Sequence, residues 1–145
     1  MSDNVTQLIQ GMSDYRPFTA MVIGDFMLDE QVSGAAERLS PDAPVPVLHL
    51  DPSRSTCSPG GASHVARSLR AMEAQVSCFG ITGDDAQRDQ LLGLLETAGC
   101  STDGILVDAS RPTTLKQTLV GLAQHRHPQK MFRVDRESSS PISKE

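Results

Sequence analysis

This sequence predicts an α/β fold built on a parallel sheet, with a small accessory β-sheet beside it. Three observations carry that expectation. Short apolar runs at residues 20–24 (AMVIG) and 76–81 (VSCFGI) suit strands buried on both faces. Each is followed in turn by a stretch of helical spacing, and strand–helix–strand–helix order is the mark of a parallel sheet with crossover helices. Between the first strand and its helix lies a proline-bearing segment, SPDAPVPV, which reads as extended edge structure.

Taken in order, residues 1–19 are polar with scattered apolar positions and read as an N-terminal extension with a short helix near 5–11. The strand at 20–24 ends in Gly24-Asp25, and ligands of open α/β sheets gather at strand carboxyl ends. Asp25 and, four residues on, Asp29 are therefore candidate binding carboxylates; equally they fit a turn and a surface position. Residues 28–50 are not helical and read as two strands of the accessory sheet, with a polar loop after Pro52. Pro59, Gly60 and Gly61 read as a tight turn. Ala62, Val65, Ala66, Leu69 and Met72 then recur at helical spacing. A diglycine opening a helix lets a ligand approach the backbone and offers it unpaired N–H donors, although a plain junction needing flexible φ angles fits as well.

The aspartates of Gly83-Asp84-Asp85 are placed to cap a helix carrying Leu91, Leu92, Leu94 and Leu95, with Gly99 at its left-handed end. A third strand is expected at 104–107. Residues 113–122 are rich in β formers, and 130–134 is their hairpin partner across a His-rich turn. Residues 138–145 read as a tail or linker.

Composition narrows the classes. Hydrophobic residues make up 38% and charged residues 21% of the 145, which allows a packed core; four Phe, one Tyr and no Trp mean that aliphatic side chains build it. A net charge of −5 argues against a general nucleic-acid binder. The local exception is a basic run from His125 to Arg136. Cys57, Cys78 and Cys100 are odd in number and widely spaced, which argues for a reducing compartment and against a disulfide framework or zinc site. No signal-peptide or membrane-spanning pattern is expected, so the reading is a cytoplasmic chain. Neither G-x-x-x-x-G-K-[ST] nor G-x-G-x-x-G occurs.

VIGDFMLDEQVSGAAERLSPDAPVPVL, PGGASHVARSL, ITGDD, RPTTLKQTLV and FRVDRE, in that order over residues 20–137, resemble the amino-terminal half of ribokinase-type (PfkB) sugar kinases. Within that superfamily the motifs most resemble the bacterial D-glycero-β-D-manno-heptose-7-phosphate kinases, which serve ADP-heptose and lipopolysaccharide core synthesis. The resemblance implies part of a ribokinase-like, Rossmann-type three-layer fold with a small β-sheet lid that often forms a dimer contact. It also implies ATP-dependent phosphorylation of the sugar phosphate at its anomeric O1, with ATP and Mg2+ as cofactors. Asp25 and Asp29 would accept hydrogen bonds from sugar hydroxyls, and Gly60 and Gly61 would approach the sugar through their backbone. Lys116 and Arg133, with Arg111 behind them, would face the existing phosphate. His64 stands where the family usually has Asn, and Glu73 and Arg88 where relatives commonly have Gly. The catalytic base, in a G-A-G-D segment, and the ATP pocket are expected beyond these residues. A non-catalytic sugar-phosphate-binding or dimerisation module, pairing with a separate carboxyl-terminal half, and another PfkB kinase fragment are the alternatives.

Overall fold

The computed structural model describes residues 2–122 and 127–142. The elements run α1 (Ser2–Ser13), β1 (Thr19–Ile23), β2 (Phe26–Leu39), β3 (Pro46–Gly60), α2 (Gly61–Ala71), β4 (Gln75–Thr82), α3 (Ala86–Thr97), β5 (Ser101–Val107), β6 (Thr114–Leu122) and β7 (Gln129–Arg136). They form two sheets. The first has order β1-β4-β5 with both pairings parallel, and α2 and α3 are its crossovers. The parallel α/β unit read from alternating apolar runs is therefore present.

Same-hand crossovers in a sheet that advances in one direction put both helices on one face. Val22, Val76, Cys78 and Ile105 accordingly share a core with Ala66 of α2 and with Leu91 and Leu95 of α3. Alternation sends Met21, Ile23 and Leu106 to the other face, where they are 64%, 74% and 64% exposed.

The second sheet has order β3-β2-β6-β7: the two strands read over 28–50 correspond to β2 and β3, and β6 and β7 extend the sheet. β2 pairs antiparallel with β3 and parallel with β6, and β6 pairs antiparallel with β7. The region after Pro52 is strand, not loop: Ser55 to Gly60 continue β3 in register with Val32 to Met27. Pro59 and Gly60 end that strand and Gly61 begins α2 directly at φ +51°, so no separate turn intervenes. β3 lies at the sheet edge, which is where Pro46, Pro52 and Pro59 can go without breaking a central ladder. The β6–β7 hairpin is present; of its His-rich connection, residues 123–126 lie outside those described.

Two sequence motifs meet at the root of this sheet. Asp85 caps α3, accepting from the Arg88 backbone N–H at 3.0 Å, and its other oxygen accepts from Thr113 N–H at 2.8 Å. The Thr113 hydroxyl in turn accepts from Gly83 N–H at 3.0 Å. Burial alone would push the Asp85 carboxyl up; the Thr113 and Arg88 hydrogen bonds outweigh it and hold it below the usual range. Arg70 braces the far end, donating to the carbonyls of Ala98 and Ala74 and so joining the ends of both helices. The three cysteines are free thiols, and burial pushes that of Cys78, beside Cys100, up to about 12.

Two predictions follow from these features. Glu73 holds φ +62°, a conformation that disfavours any residue with a Cβ. Glu73→Gly is expected to raise unfolding stability by about 1 kcal/mol in urea titrations. The bare apolar face should make the 145-residue chain self-associate, with light scattering that rises with concentration and falls in Ile23→Ser or Leu106→Ser. A concentration-independent monomer would contradict this.

Candidate functional site on the lid sheet

Strand register places the polar side chains of the second sheet in rows. Residues paired across a sheet project to the same face, and neighbours two apart along a strand share it. Ser58, Asp29, Lys116 and Asp135 are consecutive partners across β3, β2, β6 and β7 and form one row. Thr56, Gln31, Thr118 and Arg133 form the next, two residues further out. All of these residues except Asp135 line a hollow of about 330 Å³.

Its charges are arranged in pairs. The Lys116 ammonium lies 3.1 Å from Asp135 Oδ2 and 3.6 Å from Glu137 Oε2. Arg133 donates to the same Asp135 carboxylate from Nε at 2.8 Å and Nη2 at 2.9 Å. Among the described residues Asp29 has no such partner, and it is half-buried beside the diglycine. A Cβ on Gly60 would lie 2.6 Å from the Asp29 carboxyl carbon, so the carboxylate occupies space that any other residue would fill. A Cβ on Gly61 would stand 2.7 Å from both the Asp25 carbonyl oxygen and the Met27 methyl. Gly60 thus lets the backbone close against Asp29 and Gly61 against Asp25 and Met27, while Ala62 N–H is already spent on the Asp25 carbonyl at 3.0 Å.

The remaining candidates separate from this group. Asp25 and Arg111 line a second hollow, about 520 Å³, at the carboxyl ends of β1 and β4, walled by Phe79 and Leu106. Arg111 is engaged there as a brace. Its Nε donates to Asp108 at 2.8 Å and its Nη2 to the carbonyls of Ser140 and Pro141 at 3.2 and 3.0 Å. Hydrogen bonds from Ser110 first, and Arg111 next, hold the Asp108 carboxyl down to about 2. His64 is exposed on α2 and lines neither hollow. Of the basic run, His125 and Arg126 lie outside the described residues. Among the described residues no group of three or more His, Cys, Asp or Glu is arranged to hold a metal ion, and no helix is long and apolar enough to cross a membrane.

Comparison with known proteins decides the family. Residues 19–127 match the pfkB family of carbohydrate kinases. The chain belongs to that family. It is 41% identical over 133 residues to the bifunctional protein HldE of Wolinella succinogenes, which covers 92% of this chain and 26% of that protein. It is 40% identical over 123 residues to the bifunctional protein HldE of Helicobacter pylori strain J99, covering 85% and 25%. The chain thus spans about a quarter of the length of these curated relatives. Among solved structures, a putative ribokinase from Agrobacterium tumefaciens superposes with TM-score 0.59 at 19% identity, covering 83% of this chain and 36% of the other. The Arabidopsis thaliana ribokinase complexed with ribose and ATP gives 0.59 at 15%, covering 82% and 35%. The fold is ribokinase-like α/β.

Within this PfkB fold, sequence reading missed Glu30, Gln31, Thr56, Ser58, Thr118 and Lys130 as lining residues. Period-two alternation was the available signal. Lys116 and Thr118 alternate with Leu115 and Leu119 along β6, and Gln117, which interrupts the apolar side, donates to Glu30 at 2.6 Å on that side.

The charge pairs give a pH dependence. The Lys116 hydrogen bond, first, and Arg133 hold the Asp135 carboxyl below its ordinary 3.8, and the same bond raises the Lys116 ammonium above 10.5. A carboxyl lowered in the fold stabilises fully above its unfolded value and loses that contribution as pH falls through the folded one; the raised ammonium contributes below 10.5 and is lost as pH rises beyond. Denaturant melts at stepped pH should show the wild-type chain losing stability below pH 3.8 more steeply than Asp135→Asn.

Proposed function

We propose that the lid face carrying Asp29, Lys116 and Arg133 binds the sugar phosphate of an ATP-dependent PfkB kinase reaction. The substrate assigned is D-glycero-β-D-manno-heptose 7-phosphate, phosphorylated at O1 in the cytoplasm for ADP-heptose and lipopolysaccharide core synthesis. One observation carries this reading: the Asp29 carboxylate, seated over Gly60, is the register neighbour of Lys116, with Arg133 one row outward. A carboxylate suits sugar hydroxyls as donors, and cations suit the phosphate of the same molecule. The HldE relatives support the heptose assignment.

The chain's own contribution is binding and orientation. Asp29 accepts from hydroxyls, and the glycine backbone allows the ring to approach closely. Asp25, whose carbonyl is fixed by Ala62, adds a second carboxylate at the neighbouring hollow. ATP with Mg2+ supplies the transferred phosphoryl group in such a reaction. The larger hollow does not suit a triphosphate: it is walled by apolar sheet residues, and its guanidinium is committed to Asp108 and two carbonyls. No step is therefore derived through ATP, and no residue here is assigned as the catalytic base. The exposed lid edge at Phe132, 73% accessible, fits a dimer contact between lids.

Calorimetric titration with heptose 7-phosphate tests the reading. Asp29→Asn should weaken binding by at least about tenfold, the scale of a lost charge-assisted hydrogen bond. Unchanged affinity would remove Asp29 from the site, and a wild-type chain that binds no heptose 7-phosphate would overturn the assignment.

A further inference from the structure

We propose that Lys130, turned onto the ligand face by a β-bulge, is the residue that makes this site select phosphorylated over unphosphorylated sugars. The inference rests on the sugar-phosphate reading of the lid and adds a determinant to it.

The geometry begins in the β6–β7 ladder. Thr118 pairs with Arg133 and Leu119 with Phe132, but Val120 pairs with Lys130, so Met131 is an extra, unpaired residue. Residues three apart on a regular strand project to opposite faces. One inserted residue cancels that offset and puts Lys130 on the face of Arg133. Both side chains accordingly line the same hollow. The bulge is accommodated by Gly121, since a Cβ there would run into the Met131 sulfur.

Charge balance gives Lys130 its role. Lys116 is the register partner of Asp29 and Arg133 lies one row outward, yet Asp135 and Glu137 already neutralise them in ion pairs. Those four side chains sum to no net charge, and Asp29 and Glu30, which also line the hollow, leave the site acidic. Among the described residues Lys130 enters no ion pair and is exposed. It is thus the uncompensated cation of the hollow, within a strand residue or two of Arg133 and Thr118. A phosphate dianion gains from that charge; a neutral sugar does not.

The experiment is calorimetry on the full chain with heptose 7-phosphate and with unphosphorylated heptose, in the wild type, Lys130→Gln, Lys130→Arg and Arg136→Gln. Arg136 pairs with buried Leu115 and belongs to the opposite face, so it controls for net charge. Expected is a loss of about tenfold for the phosphorylated sugar in Lys130→Gln, with the unphosphorylated sugar unchanged, near-wild-type selectivity in Lys130→Arg, and no effect in Arg136→Gln. Equal losses for both sugars, no loss, or the same loss in Arg136→Gln would overturn the proposal while leaving the sugar-phosphate reading in place. If heptose 7-phosphate does not bind but ribose 5-phosphate or fructose 6-phosphate does, and Lys130→Gln weakens it selectively, Lys130 keeps its role and the heptose assignment fails. A wild type that binds none of these phosphates overturns both.

Discussion

The lid exists as a positioned surface because β2 belongs to two structures at once. Its first residues, Phe26 and Leu28, are 1% exposed and lie in the same apolar cluster as Val22, Cys78, Leu91 and Leu95. Leu115, the partner of Leu28 on β6, is buried with them. Phe26 stands over Gly80, where a Cβ would meet the ring at 2.5 Å. Losing a buried side chain of this kind costs about 2–5 kcal/mol, a large share of a domain's stability. That root aims the sheet. Asp29 and Lys116, one residue beyond the buried pair, then project to the face opposite Leu28 and Leu115 by alternation alone.

The same register explains why the site's cations do not repel one another. Lys116 and Arg133 sit on adjacent strands in adjacent rows, and Asp135, in the row of Lys116, is shared between them. Exposed pairs of this sort contribute little to stability, generally within about 1 kcal/mol. Their value is geometric: a shared carboxylate limits where two long, flexible side chains can go before a ligand arrives. The bulge at Met131 works on the same ladder, so pairing, charge sharing and side-chain aim are one feature of β6 and β7.

Local chemistry made half of this legible in the sequence. The Asp85 cap, the left-handed Gly99, the apolar faces of α2 and α3 and the β6–β7 hairpin are short-range, and residue types within a few positions specify them. The parallel union of β2 with β6 was not legible, because Asp29 and Lys116 meet across the whole intervening α/β unit. The outer part of β3 was hidden for a different reason. SRSTCS carries almost no apolar signal, since it is an edge strand whose partners are polar: Ser55 donates to Glu30 at 2.8 Å, and Thr56 and Ser58 face the hollow. The family resemblance grouped the candidate site residues around one sugar phosphate, and the fold divides them. Asp29, Lys116 and Arg133 converge, whereas Asp25 and Arg111 share another hollow and His64 stands outside both.

That division separates motif residues by the work they do. Thr113 and Arg111, both within RPTT, look equally suited to chemistry in a linear reading. In the fold Thr113 is 2% exposed and joins Gly83 to the Asp85 cap, and Arg111 ties Asp108 to the chain beyond β7. Each of these polar groups already has its hydrogen bonds, so a ligand would have to displace them before gaining any. Asp29 and Lys130 differ in that their polar atoms enter no ion pair among the described residues. A polar side chain gains most from a ligand where the fold has not already satisfied it; on that criterion the proposed sugar-phosphate site falls on the lid face, and the two connecting motifs hold that face in place.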